Sequence, residues 1–289
     1  MRREAWAYVS GVCAAREAEF LTPRFIDELA ALPPDQVGAK LQRSFFGPAE
    51  PLTAFDRLAR ERRNREFGEI AKICPENLPM KLVQMDFAAD KMRKALIDIP
   101  EHMDAVEFGR AMQKLILRAG DFTDDFAGAF PKQMRQPEHS ARVAASLLID
   151  SSELLITFDA AEKSEDKVLI EWARERARVG SGKVAVRAIA LGIPKDMARP
   201  FFFRDKLLTQ EAKEFLVDYD EASARRLYPY GVHPGHEDEY LVRVAEAAKG
   251  EPFSAARVLH YLLSYLAQEK RLRTAVYMSL GRIVKEAAA

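Results

Sequence analysis

Two histidines and two carboxylates fall within six residues in His233-Pro234-Gly235-His236-Glu237-Asp238. Imidazole with carboxylate is a donor set that suits zinc or a harder ion. The spacing argues the other way. Proline and glycine part the histidines in a loop, whereas a helical metal site sets them at i and i+4. No second cluster of His or Cys exists to complete a shell, and His102, His139 and His260 stand apart. The alternative is that Glu237 and Asp238 favour the positive N-terminus of a following helix. On balance the residues predict no bound metal.

The run Val179-Gly180-Ser181-Gly182-Lys183-Val184 looks briefly like a phosphate loop. A Walker A loop needs glycine at the position held by Ala177 and a hydroxyl at the position held by Val184, and it follows a strand. The run is therefore read as a break between helices, with no nucleotide and no other cofactor expected. Ser151-Ser152, beside Asp150, falls mid-helix with no nucleophile elbow around it; such hydroxyls are solvated or bonded to their own backbone. Asp121, Asp124 and Asp125 form an acidic loop without the alternating ligands and closing glutamate of a calcium hand. The mixed charges from Glu61 to Glu66 read as a solvated helix face. Cys13 and Cys74 are isolated thiols with ordinary buried or half-buried roles, not a bridge. No catalytic residues, and no enzyme, follow from these patterns.

The elements that would position any of these groups are helical nearly throughout. Trp6, Val9, Cys13 and Phe20 share one face of a first helix. Thr22 and Thr209 sit where N-caps belong, Pro23 at a first helical position, and Thr53 ahead of the helix carrying Phe55, Leu58, Ile70 and Ile73. Leu82, Met85, Ala89, Met92 and Leu96 recur at three and four. Phe122, Phe126 and Phe130, four apart, read as a core ladder. Long helices are expected over 138–161 and 165–179, broken at Gly180 and Gly182, and again from Ser254 onward. Tyr228 to Gly235 is the clearest long loop. No period-two strand stands out, although Phe201-Phe202-Phe203 could be extended. The fold class is all-α, a multi-helix bundle. No linker divides the 289 residues, which read as a single all-helical domain, 1–289. A faint echo joins Leu21-Thr22-Pro23 to Leu208-Thr209-Gln210.

Composition agrees. Apolar residues are 48% and charged residues 30%, ordinary for a folded chain. The 44 basic and 44 acidic residues balance, which argues against a general nucleic-acid binder, since phosphate neutralisation supplies most of that affinity. The N-terminus has no apolar run after its basic residues and no window reaches the ~18 apolar residues of a membrane span. A cytoplasmic protein is expected, able to dock on a membrane complex only through other subunits.

Three stretches resemble the C/d family of V-type ATPase central-stalk proteins, the C type of prokaryotes and the d type of eukaryotes. Trp6-Ala7-Tyr8-Val9-Ser10-Gly11-Val12 with Glu19-Phe20-Leu21-Thr22 is similar to its aromatic opening helix. Leu148-Ile149-Asp150, then Trp172, then Val186-Arg187-Ala188-Ile189-Ala190-Leu191-Gly192, with Leu207-Leu208-Thr209 beyond, is similar to its Leu-Asp helix and Leu-Arg-Ala segment. Glu251-Pro252-Phe253, Tyr261-Leu262 and Glu269-Lys270-Arg271-Leu272-Arg273 resemble its ending, the most specific of the three. The chain departs from the family at Arg271, where asparagine is usual, at Glu153-Leu154-Leu155, where aromatics are usual, and at Ser181 to Val184.

The resemblance implies a funnel of three pseudo-repeated helical lobes, roughly a hundred residues each. It implies a central-stalk role without catalysis: coupling a membrane proteolipid ring to the central-shaft subunits of a rotary ion- or proton-transporting ATPase. Under that reading Glu269, Arg271 and Arg273 shape a polar inner wall on the last helix. The alternative for Glu269 and Arg273, four apart, is an exposed pair worth ~0.3–0.5 kcal/mol. Two other functions stay open: a free-standing helical adaptor, and a helical metal-dependent hydrolase using His233 and His236.

Overall fold

A computed structural model describes residues 2–47, 52–130, 140–228 and 236–286. Every regular element among them is a helix: α1 (Arg2–Glu17), α2 (Pro23–Ala31), α3 (Pro34–Gln42), α4 (Phe55–Ile73), α5 (Leu78–Lys94), α6 (Ala105–Ile116), α7 (Thr123–Ala129), α8 (Ala141–Glu162), α9 (Lys167–Ala190), α10 (Lys195–Phe202), α11 (Gln210–Asp218), α12 (Glu221–Leu227), α13 (His236–Ala245) and α14 (Ala255–Glu286), with short 3₁₀ turns between some of them. The protein is all-α. Its chain divides into two compact units, one of residues 1–80 with 245–289, the other of residues 81–244.

In the first unit α14 is the spine. Helices α1, α2, α3 and α4 all pack on it. Its Val258, Leu259, Tyr261, Leu262, Tyr265, Leu272 and Val276 are buried at the spacing of one helical face, against Trp6, Val9, Leu29, Leu41, Phe67 and Ile70. Phe20, Phe45, Phe46 and Phe67 surround the Tyr265 ring at 5.5–6.2 Å between centroids. The Thr22 hydroxyl accepts from the Phe25 amide, as its cap position predicts. Thr53 does not cap α4. It lies inside a 3₁₀ turn, Leu52–Ala54, and α4 starts from Ala54 with no side-chain cap.

In the second unit the spine is the α8–α9 pair. Glu165, in the left-handed region at φ 58°, reverses the chain, and the Asp166 carboxylate accepts from the Val168 and Leu169 amides to open α9. Phe122, Phe126 and Phe130 are buried in one core with Met85, Met92, Phe108, Leu148 and Phe215.

Two expectations fail here. Gly180 and Gly182 do not break the chain; α9 runs through both. A Cβ on Gly180 would stand 2.5 Å from Leu154 Cδ1, and one on Gly182 would stand 2.9 Å from the Leu227 carbonyl oxygen. Gly180 makes room for the Leu154 side chain and Gly182 for the Leu227 backbone, at a helix-propensity cost of about 1 kcal/mol each. The loop reading of this run falls with the break. Phe201-Phe202-Phe203 is not extended either. Phe201 and Phe202 close α10, and all three rings are buried.

Candidate functional site

Polar and charged contacts in the first unit run along α14 from Arg257 to Ser279. Nearest the N-terminus, the Glu17 carboxylate receives both Arg257 Nη1 at 2.8 Å and Arg257 Nη2 at 2.7 Å, and lies 3.0 Å from His260 Nδ1. Burial works against the Glu17 charge; hydrogen bonds from His260 and Arg257 overcome it and hold the carboxyl below its ordinary value. One turn on, Tyr261 and Arg16 both donate to Glu66, and Arg16 Nη2 reaches Glu69 at 2.8 Å. Burial, then the Glu66 carboxylate, pushes the Tyr261 hydroxyl upward. Gln268 makes two bonds with the Leu21 backbone, accepting at 3.1 Å and donating at 3.0 Å.

Glu269 is next. Its side chain is 3% exposed, and Oε1 accepts from Arg63 Nη1 at 2.9 Å and from Arg273 Nη2 at 3.2 Å. Arg273 Nε also reaches Asp56 Oδ1 at 2.8 Å, and Tyr277 donates to Asp56. The Tyr277 hydrogen bond, against a little burial and with Arg273, holds Asp56 below its ordinary value. Ser279 donates to the Leu32 carbonyl at 2.9 Å.

Of the three predicted wall residues, the structure brings Glu269 and Arg273 together and leaves Arg271 exposed on another face of α14. Glu269 is no solvent-exposed partner, and the Glu61–Glu66 run is only partly a solvated face. Arg63, 15% exposed, and Glu66, 14%, turn inward to α14. Cys13 and Cys74 are both free thiols. Burial pushes Cys13 up to about 12 and Cys74 to about 11.

Ser264 Oγ, His260 Nε2, His260 Nδ1 and Glu17 Oε1 stand in the order of a hydrolytic triad, at 3.5 and 3.0 Å. His260 is 2% exposed, while Glu17 and Ser264 are half-buried. The trio ties α1 to α14.

The second unit holds a denser network. Arg93, on α5, donates through Nε to Asp150 Oδ1 at 2.8 Å and through Nη2 to Glu153 Oε2 at 2.7 Å, both on α8. Arg176, on α9, donates through one nitrogen to Asp86 of α5 and Glu153 of α8. Arg187 pairs with Asp150 and reaches Ser146 Oγ at 2.7 Å. Three guanidiniums thus balance three carboxylates. Ser151 is bonded to its own backbone at Leu148 as its position predicts, and also to the Phe201 carbonyl, each at 3.2 Å. Its neighbour Ser152 is fully buried, and its hydroxyl has no hydrogen-bond partner among the described residues.

Sequence reasoning missed Arg63, Glu66, Arg93, Glu153 and Arg176. A signal existed: Glu153 and Glu269 occupy positions where the three-four apolar period calls for a hydrophobe. The acidic loop is also revised, since Asp124 and Asp125 lie in the first turn of α7 and Asp125 pairs with Lys81 at 3.0 Å. No group of three or more His, Cys, Asp or Glu among the described residues could hold a metal. His233 and the side chains of His236, Glu237 and Asp238 lie outside the described residues, so that pair is not placed.

An open groove of about 480 Å³ lies between Phe45, Phe46, Gly47 and the α4 residues Leu58, Glu61, Arg62 and Arg65. Arg62 Nη1 reaches the Gly47 carbonyl at 3.3 Å, and burial depresses its charged form.

Fold and network together define an all-α, multi-helix protein with ion pairs across helices in each unit. No protein-family model matches the chain, and no curated protein matches it.

Proposed function

We propose that this chain is a non-catalytic mechanical coupler, the central-stalk subunit that joins a proteolipid rotor ring to the central shaft of a V-type ATPase. The observation that carries the reading is where the family-like residues fall. Asp150 and Arg187, from the two halves of the middle motif, form one ion pair. Ser10 of the opening motif donates to the Pro252 carbonyl of the closing motif at 2.6 Å. Glu269 and Arg273 of that closing motif are tied to α4. Several of the residues that carry the resemblance thus hold helices in register.

A torque coupler needs stiffness more than reactivity. Long helices packed at crystal-like density resist deformation, and buried ion pairs fix one register where apolar contact alone tolerates sliding. The balanced charge suits polar partners, and no helix among the described residues is long and apolar enough to cross a membrane. The finer features of the family, three lobes in a funnel and peripheral attachment to a membrane through the ring, belong to the same proposal. Co-expression with the shaft and ring subunits of one rotary ATPase tests it. Co-elution supports the reading, and a chain that elutes alone overturns it.

A further inference from the structure

We propose that the groove between α4 and the Phe45-Phe46-Gly47 turn is a binding site for a small carboxylate with an apolar body. Both walls belong to the first unit. Leu58, Glu61, Arg62 and Arg65 recur at three and four, so one face of α4 forms the first wall. The second wall is the end of the chain segment that follows α3, where Phe46 is buried and Phe45 half-buried. Gly47, in the left-handed region at φ 61°, turns that segment, a conformation that favours glycine. Its carbonyl accepts from Arg62 Nη1 at 3.3 Å. The Arg62 guanidinium is thus held against the turn, half-buried, while Arg65 is exposed.

The lining sets the chemistry of the ligand. Two guanidiniums face one carboxylate, and that carboxylate, Glu61, is already bonded by Arg57 at 3.0 Å. Arg65 forms no ion pair among the described residues. Burial depresses the charged form of Arg62, Tyr265 opposes this, and the like charge of Arg65 adds to it. An anion between the two guanidiniums relieves that repulsion, and a carboxylate matches the planar guanidinium fork with parallel hydrogen bonds. The rest of the lining is apolar, the Phe45 and Phe46 rings and Leu58, and calls for an apolar body behind the charge. The groove, about 480 Å³, has the size of a small-molecule site and leaves room beyond a bare inorganic ion.

NMR titration of the full chain with three probes tests the site: phenylpropionate, the neutral phenylpropanol, and inorganic phosphate. Phenylpropionate should bind with a dissociation constant of about 1 mM or below. Phenylpropanol lacks the charge and phosphate lacks the apolar body, so each should bind about tenfold more weakly or worse. Arg65→Ala changes an exposed side chain and should keep the wild-type melting temperature while weakening phenylpropionate about tenfold. Arg24→Ala, at a 90% exposed arginine of α2 outside the groove lining, should leave the affinity unchanged. Absence of phenylpropionate binding up to about 10 mM overturns the proposal. So does equal affinity for phenylpropanol or for phosphate, and so does an Arg65→Ala affinity equal to that of Arg24→Ala.

Discussion

Arg63 and Glu269 stand 206 residues apart in sequence and 2.9 Å apart in space. The contact ties α4 to the last helix at a point where both side chains are largely withdrawn from water. Its neighbour Arg273, bonded to the same carboxylate oxygen, is 40% exposed. The two pairs should therefore differ in energy although they share an atom.

Truncating Glu269 takes a buried carboxylate away from the largely buried Arg63, a change that costs about 3–5 kcal/mol. Truncating Arg273 removes an exposed partner, and the Glu269 pair then costs only about 0–1 kcal/mol. Urea unfolding of Glu269→Ala and Arg273→Ala measures both. Equal losses would show that the buried pair has no special weight.

The glycines of α9 and α1 predict opposite signs for the same substitution. Gly182→Ala forces a methyl against a backbone carbonyl and should destabilise by about 1–3 kcal/mol. Gly180→Ala meets the movable end of Leu154 and should cost less. A methyl added to Gly11, inside α1, would meet nothing within 4 Å, so Gly11→Ala should stabilise by about 0.5–1 kcal/mol. Melting temperatures of the three variants give the order.

Acid should open the first unit through Glu17. Its folded value lies below the unfolded one, so its contribution is present above the ordinary carboxylate range and is lost as pH falls through the folded value. Glu17→Gln should be less stable than wild type at pH 7, and the gap should narrow on acidification below pH ~4. Denaturant midpoints taken across that range check the convergence; a constant gap would contradict it.

The thiols should be silent while the chain is folded. Cys13 is fully buried and Cys74 half-buried, and both are pushed well above neutral pH, so little thiolate exists to react. An aromatic disulfide reagent should label neither quickly at pH 8 and both in urea, Cys74 ahead of Cys13 as denaturant rises. Rapid native labelling of Cys13 would contradict the packing of α1.

Helix identity was legible because it is written in local spacing. The Met85–Met92 stripe, the Phe122–Phe130 ladder and the caps at Thr22 and Thr209 each depend on neighbours within a turn or two. Gly180 and Gly182 misled for the converse reason. Their local signal is a break, and only the approach of Leu154 and Leu227 shows why glycine suits a helix there. The charge network was hidden more deeply. Nothing near Glu269 names Arg63, and nothing near Asp86 names Arg176, because ion pairing has no sequence period. A carboxylate at a position owed to a hydrophobe was the one available sign, at Glu153 and Glu269.

Electron microscopy of particles isolated through a tag on this chain tests the central-stalk reading most directly. The predicted result is a rotary ATPase with this protein between proteolipid ring and central shaft. Particles that contain the chain without ring or shaft subunits would contradict it.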